Sequence, residues 1–232
     1  MQRAITPPPR TALVNEALTP AFLAGGLLQL NPLKQPPRGR GETVLVWPGF
    51  GAGNGSTTIL RQYLRLIGYH VEGWQQGRNS ADVQATLDAL KDDVAARGDG
   101  EPVTLVGWSL GGYLAREVAR DCPELVRHVV TLGSPVVGGP KYTSVAGAFT
   151  GQSPSIDEIE RIVDERYEVP LEVPVTALYS KFDGVVAWQA CIDERSPNVE
   201  HVEVTTSHLG FGFDARVFQL IAERIARHQR EA

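Results

Sequence analysis

The chain has 232 residues, 42% of them hydrophobic and 21% charged, with a formal net charge of −5. That length leaves room for one large core, and the scattered charges show none of the basic patches by which nucleic-acid-binding proteins engage phosphate. Cys122 and Cys191 lie far apart and match no metal or redox spacing, so neither a disulfide scaffold nor a metal site is expected.

In chain order, Pro7-Pro8-Pro9 and Pro36-Pro37 bracket a leucine-rich segment, and residues 1–40 read as an arm packing on the body. Its apolar stretch at 21–28 is far below the roughly 20 residues that span a bilayer, so no membrane span is expected. Arg3 and Arg10 precede it as in a signal peptide, but Glu16 and Pro20 stand against that reading and no Ala-x-Ala pattern follows. The segment reads as a buried or docking helix, and the expected location is cytoplasmic.

From Thr43 onward, short β-branched or apolar runs alternate with longer helical stretches, the pattern of a parallel sheet with helices on its faces in an α/β domain over 41–232. Strands are expected at 43–47, 69–74, 102–106, 128–132, 173–179 and 198–204, and helices at about 56–67, 80–97, 110–121, 185–194 and 213–229. About 40 residues, 134–174, separate the fourth and fifth strands, longer than an ordinary α/β connection and so an insertion over the sheet edge. Within it Ser155-Ile156-Asp157-Glu158 fits a capping box, and Ile156, Ile159, Ile162 and Val163 recur on one helical face.

The motif that carries chemistry is Gly107-Trp108-Ser109-Leu110-Gly111-Gly112, between an apolar strand and a helical stretch. This G-x-S-x-G turn is so tight that side chains at 107 or 111 would crowd its neighbours, while the serine stands above the sheet at a helix N-terminus. A serine hydroxyl is a weak nucleophile, so the motif calls for an acid and then a histidine farther along the chain. Asp183, in Ser180-Lys181-Phe182-Asp183-Gly184, and His208, in Thr206-Ser207-His208-Leu209-Gly210, each follow a strand. Both therefore fall at the carboxyl edge, where open α/β sheets place their ligands. Asp193 and Glu194 are rival acids, and His70, His128, His201 and His228 rival bases, but none sits at a strand's carboxyl end.

Two oxyanion donors are expected: the amide of Leu110, and that of Phe50 in the loop Trp47-Pro48-Gly49-Phe50-Gly51-Ala52-Gly53 after the first strand. That loop lacks the third glycine of a dinucleotide fingerprint, since Ser56 stands there, and no cofactor is expected. Gly77-Arg78-Asn79 should lie on the same edge, in a helix-entry and salt-bridge role, or else bracing loops or contacting substrate.

With Pro48-Gly49-Phe50, Gly77-Arg78-Asn79, residues 107–112 and Thr131-Leu132-Gly133-Ser134-Pro135, the chain resembles the lipase and esterase branch of the α/β-hydrolase superfamily over roughly 43–228. The resemblance implies a mostly parallel sheet with helices on both faces and a short lid-like insertion at about 134–170. It implies triad roles for Ser109, Asp183 and His208, with Phe50 and Leu110 as oxyanion donors.

The expected activity is cofactor-independent hydrolysis of small carboxylic esters, with medium-chain or lipid-like acyl groups. Val136, Val137, Val145, Phe149 and Ile156 would line or cover the acyl pocket, and contact with a lipid interface stays open. The same triad serves thioesterases, amidases, acyltransferases and polyester depolymerases, and a non-catalytic binding protein could keep the pocket.

Overall fold

The computed structural model describes residues 5–29, 35–80, 82–149 and 155–230. Six strands, β1 (Thr43–Trp47), β2 (His70–Gly73), β3 (Val103–Trp108), β4 (Val126–Leu132), β5 (Val175–Tyr179) and β6 (Val199–Glu203), pair in parallel in the order β2-β1-β3-β4-β5-β6. Helices α1 (Val14–Ala17) and α2 (Thr19–Gln29) belong to the arm. Those of the body are α3 (Thr58–Leu66), α4 (Val83–Gly98), α5 (Leu110–Asp121), α6 (Ile156–Tyr167) and α7 (Ala215–Arg230).

Successive side chains of a strand point to opposite faces, so a sheet covered on both sides needs apolar residues at every position. In β1, Val44 and Val46 pack with Leu60 and Leu64 of α3 and Ile221 and Ile225 of α7. Leu45 and Trp47 face the other way, onto Leu87, Leu90 and Val94 of α4 and Leu114 and Val118 of α5. Two cores thus clamp the sheet, and β3 is buried along its whole length.

The strand order also fixes where a ligand can enter. From β1 the chain steps outward to β2, then returns past β1 to begin β3 on its other side. The connections leaving β1 and β3 diverge in opposite directions, which opens a crevice at their carboxyl ends.

The alternation seen in the sequence recurs strand by strand, with one exception. No α-helix forms over 185–194; only Trp188–Cys191 makes a 3-10 turn. The backbone amides of Val185 and Val186 donate instead to the Asp183 carboxylate, and the β-branched Val186 is held in extended pairing by an isolated bridge to Thr143.

The insertion carries α6, whose capping box is formed: Glu158 accepts from the Ser155 amide at 2.7 Å and the Ser155 hydroxyl accepts from the Glu158 amide. Val163 packs toward Gly139, and Arg166 pairs with Glu117 and Asp121 of α5, the latter at 2.6 Å. In the arm, Pro20 is tolerated because it lies in the first turn of α2, where its missing N–H has no helical partner. Phe22 meets Phe182 with ring centroids 5.6 Å apart, and Arg216 at the start of α7 donates to the Phe22 carbonyl.

Candidate active site

Ser109 stands between β3 and α5 with φ 54° and ψ −120°. It is one of two non-glycine residues at positive φ among the described residues, the other being Asp99 just past α4. Such a conformation persists only where its surroundings enforce it. Here the Ser109 amide donates to the Leu132 carbonyl at 2.8 Å, tying the turn to the end of β4. The flanking glycines admit no side chain: a Cβ on Gly107 would strike the Gly111 carbonyl, and one on Gly111 would lie 2.5 Å from the Pro48 carbonyl oxygen and 2.6 Å from that of Trp47. Gly111 is therefore where the Ser109 turn and the loop after β1 touch backbone to backbone.

Asp183 follows β5 and His208 follows β6, both buried. His208 Nδ1 is 2.7 Å from Asp183 Oδ2, while Asp183 Oδ1 accepts from the amides of Val185 at 2.8 Å and Val186 at 2.7 Å. The pair sits over Gly133, directly after the Leu132 that binds Ser109. A Cβ on Gly133 would lie 2.8 Å from Asp183 Oδ2 and 3.2 Å from His208 Nδ1. The imidazole also packs on Trp108, next to the serine, at a ring separation of 6.0 Å. Among the described residues no hydrogen bond joins Ser109 Oγ to His208. Catalytic contacts of this kind are commonly long without substrate and tighten in the complex.

Burial of the His208 ring works against its charge. The Asp183 carboxylate, by its charge and hydrogen bond, and the Glu16 charge outweigh that penalty and hold the histidine pKa above its ordinary value.

The rival groups are engaged elsewhere. Asp193 pairs with buried Arg116, and His201 accepts from the Asp193 amide at 2.9 Å. His128 is buried against Thr176 and packs tilted against the His228 ring, centroids 4.2 Å apart, and exposed His70 lies beside Glu72.

The loop after β1 is held from the second strand's side. Asn79 Nδ2 donates to the Pro48 carbonyl at 2.9 Å, the Asn79 amide to that of Ala52, and the Gly51 amide to that of Asn79 at 2.7 Å. Arg78 donates to the Gly51 carbonyl at 2.7 Å, so Gly77-Arg78-Asn79 braces this loop. Phe50 lies in the braced segment and is 38% exposed, and Leu110 opens α5, where the first amides have no helical acceptor. Of the five expected pocket residues, Val136 is buried, Val137 and Ile156 half-buried and Val145 exposed, all outside the two main cores; the Phe149 side chain lies outside the described residues. Among the described residues no group of His, Cys, Asp and Glu is arranged to hold a metal ion, and no helix is long and apolar enough to cross a membrane.

One constellation escaped the sequence reading. Glu16 of α1 reaches both catalytic-edge loops: Oε1 accepts from the Gly184 amide at 2.9 Å and the His208 amide at 2.9 Å, and Oε2 from the Leu209 amide at 2.8 Å. Thr19 Oγ1 lies 2.6 Å from Ser207 Oγ. The only trace in the sequence is that Glu16 is the sole acidic residue of 1–40.

Chemically, a half-buried turn serine, a buried carboxylate–imidazole pair and a braced loop at a helix N-terminus can together transfer an acyl group through a covalent intermediate.

Comparison with known proteins places this geometry in context. A family model described as "Alpha/beta hydrolase family" matches residues 21–226. A pimeloyl-[acyl-carrier protein] methyl ester esterase of Sodalis glossinidius is 33% identical over 99 residues, covering 43% of this chain and 35% of the relative. A 2-hydroxymuconate semialdehyde hydrolase of Pseudomonas sp. is 33% identical over 108 residues, covering 45% of this chain and 38% of the relative. The chain thus spans little more than a third of the length of either. A monoacylglycerol lipase of Paleococcus ferrophilus superposes with a TM-score of 0.64 at 17% identity, covering 82% of this chain and 97% of that one, a likeness of fold.

Proposed function

We propose, from the premise that this chain belongs to the alpha/beta hydrolase family, that it cleaves carboxylic esters through an acyl-enzyme on Ser109. The observation that carries the reading is Ser109 held at positive φ beside the 2.7 Å Asp183–His208 pair, the arrangement that nucleophilic ester cleavage requires. Ser109 Oγ attacks the ester carbonyl carbon as His208 Nε2 takes the hydroxyl proton. The amides of Phe50 and Leu110 receive the negative charge that builds on the carbonyl oxygen. Collapse of the tetrahedral intermediate breaks the bond to the alcohol oxygen, which leaves with the proton from His208. Water then repeats the sequence on the acyl-enzyme, releasing the acid and restoring Ser109. The Asp183 carboxylate holds the imidazole so that Nδ1 carries its proton toward the carboxylate and Nε2 is free to accept.

The substrates are esters with apolar acyl groups of medium length, in contact with Val136, Val137, Ile156 and Phe149. Support comes from the exposure of Phe50, Phe182 and Leu209, large apolar residues at the oxyanion loop or beside the acid and the base. Among the relatives, the name of the methyl ester esterase agrees with oxygen esters, whereas that of the semialdehyde hydrolase, of equal identity, names no ester. The test is hydrolysis of p-nitrophenyl esters from acetate to palmitate by the wild type and by Ser109→Ala. The expected outcome is a maximum at intermediate chain length that falls to background in the variant. A wild type inactive on the whole series overturns the reading.

A further inference from the structure

The N-terminal arm makes one contact that reaches the centre of the site. Glu16 is half-buried on the four-residue helix α1, and both its carboxylate oxygens are occupied by backbone amides of the two loops that carry the acid and the base. The Gly184 amide immediately follows Asp183, the His208 amide belongs to the imidazole residue itself, and the Leu209 amide follows it. One carboxylate therefore takes three donors from two loops that are joined elsewhere by the Asp183–His208 bond and by Ser180, whose hydroxyl donates to the Thr206 carbonyl at 2.6 Å. The fit is close: Gly184 packs so tightly on the arm that a Cβ there would strike the Ala12 carbonyl. Thr19 and Ser207 extend the same seam, with the Thr19 hydroxyl also bound to the Glu16 carbonyl at 2.6 Å.

Charge-assisted bonds from backbone amides to a carboxylate are roughly twice as strong as neutral ones. Left unpaired at a partly buried site, each amide would lose its hydrogen bonds to water with nothing in return. Loops at a sheet edge are otherwise the least constrained part of such a fold.

We propose that Glu16 is a positioning residue for the catalytic pair: it clamps the acid and histidine loops in register and adds negative charge beside the imidazole. The inference rests on the ester-hydrolase reading above. It gives the arm a role in the reaction: although the arm lies outside the sheet, the relative placement of Asp183 and His208 depends on it. The groups that act on the ring are Asp183 from the acid loop and Glu16 from the arm. Cys191 is buried within the influence of the Asp183 charge, and Asp214 and Arg216, at the start of α7, pair with each other at 2.7 Å.

The test compares wild type, Glu16→Ala and Glu16→Gln in p-nitrophenyl butyrate hydrolysis across pH, with rates expressed per phosphonate-labelled site. The alanine variant loses all three bonds. The glutamine variant keeps an acceptor at Oε1 for Gly184 and His208 but loses the Leu209 bond and the charge. A slight misplacement of reacting groups costs up to about 100-fold, so kcat of the alanine variant should fall about 10- to 100-fold with KM unchanged, and that of the glutamine variant should recover much of the loss. Both variants lack the negative charge that favours the protonated ring, so the acid limb of kcat/KM should move to lower pH in both. A purely structural role would lower the melting temperature and the labelled fraction but leave kcat per labelled site and the acid limb where they are, and that result overturns the inference. If the alanine variant does not fold, a glutamine variant with wild-type kcat and acid limb overturns it equally. A wild type that neither hydrolyses the ester nor takes the label refutes the hydrolase reading itself, and this inference falls with it.

Discussion

Replacing Asp183 by asparagine separates the charge of the acid from its shape. In the native site the carboxylate accepts three hydrogen bonds, two from the amides of Val185 and Val186 on Oδ1 and one from His208 on Oδ2. An asparagine has one acceptor oxygen and must choose. Turning its NH2 toward the two amides would leave both donors unsatisfied in a buried site, about 1–3 kcal/mol each. Turning its oxygen to them sacrifices only the histidine bond, so this orientation wins and the NH2 faces Nδ1. The imidazole must then accept at Nδ1 and carry its proton on Nε2, the tautomer that cannot take a proton from Ser109. Inverting the tautomer in an equivalent triad lowers kcat about 10⁴-fold, a barrier increase of about 5 kcal/mol at roughly 1.4 kcal/mol per tenfold. Because two of the three bonds survive, the melting temperature of Asp183→Asn should fall little. The assay is steady-state hydrolysis of p-nitrophenyl butyrate beside a thermal melt. A variant within tenfold of wild-type kcat, or one that loses activity only because it unfolds, refutes the argument.

Two further perturbations probe the scaffold. Gly111→Ala should displace either the nucleophile turn or the loop after β1, because its Cβ would meet the Pro48 and Trp47 carbonyl oxygens at 2.5 and 2.6 Å. Such overpacking costs about 1–3 kcal/mol, so both melting temperature and kcat should drop; wild-type values of both would contradict the close contact. His128 is held well below its ordinary pKa, first by burial and then by the nearby charges of His228, Arg227 and Arg224. The unfolded chain therefore takes up a proton there that the folded one does not. Stability should fall as pH drops below the ordinary histidine value, by up to about 1.4 kcal/mol per pH unit, and continue to fall until the folded pKa is reached. His208, held above its ordinary value, contributes the opposite sign, so the readout is the difference between the wild type and His128→Asn in urea melts from pH 7 to 5. Parallel pH dependences would refute the assignment.

Much of the fold was legible because the signals were local. Strands buried on both faces must be apolar at successive positions, and Thr43–Trp47 and Leu110–Asp121 coincide with the residues expected from that rule and from helical periodicity. Gly107 and Gly111 announced the turn at Ser109 because a steric demand leaves its mark in the residues themselves. The helix expected at 185–194 failed for a tertiary reason: Asp183 claims the Val185 and Val186 amides, and no periodicity reveals that an upstream carboxylate will take them. Glu16 was illegible for the same reason at longer range, since its three bonds cross 168, 192 and 193 positions of sequence. Gly133 was visible only as part of a motif, and its need to be glycine becomes clear once the acid–base pair is seen directly above it.

The central claim is that Ser109 is a nucleophile made reactive by His208 and Asp183, and covalent labelling tests it most directly. Incubating the wild type with a fluorophosphonate and mapping the adduct by mass spectrometry should give one phosphonyl group per chain, on Ser109. Ser109→Ala should take none, and His208→Ala should label far more slowly at the same serine. A folded wild type that remains unlabelled, or labels at another residue, would contradict the account.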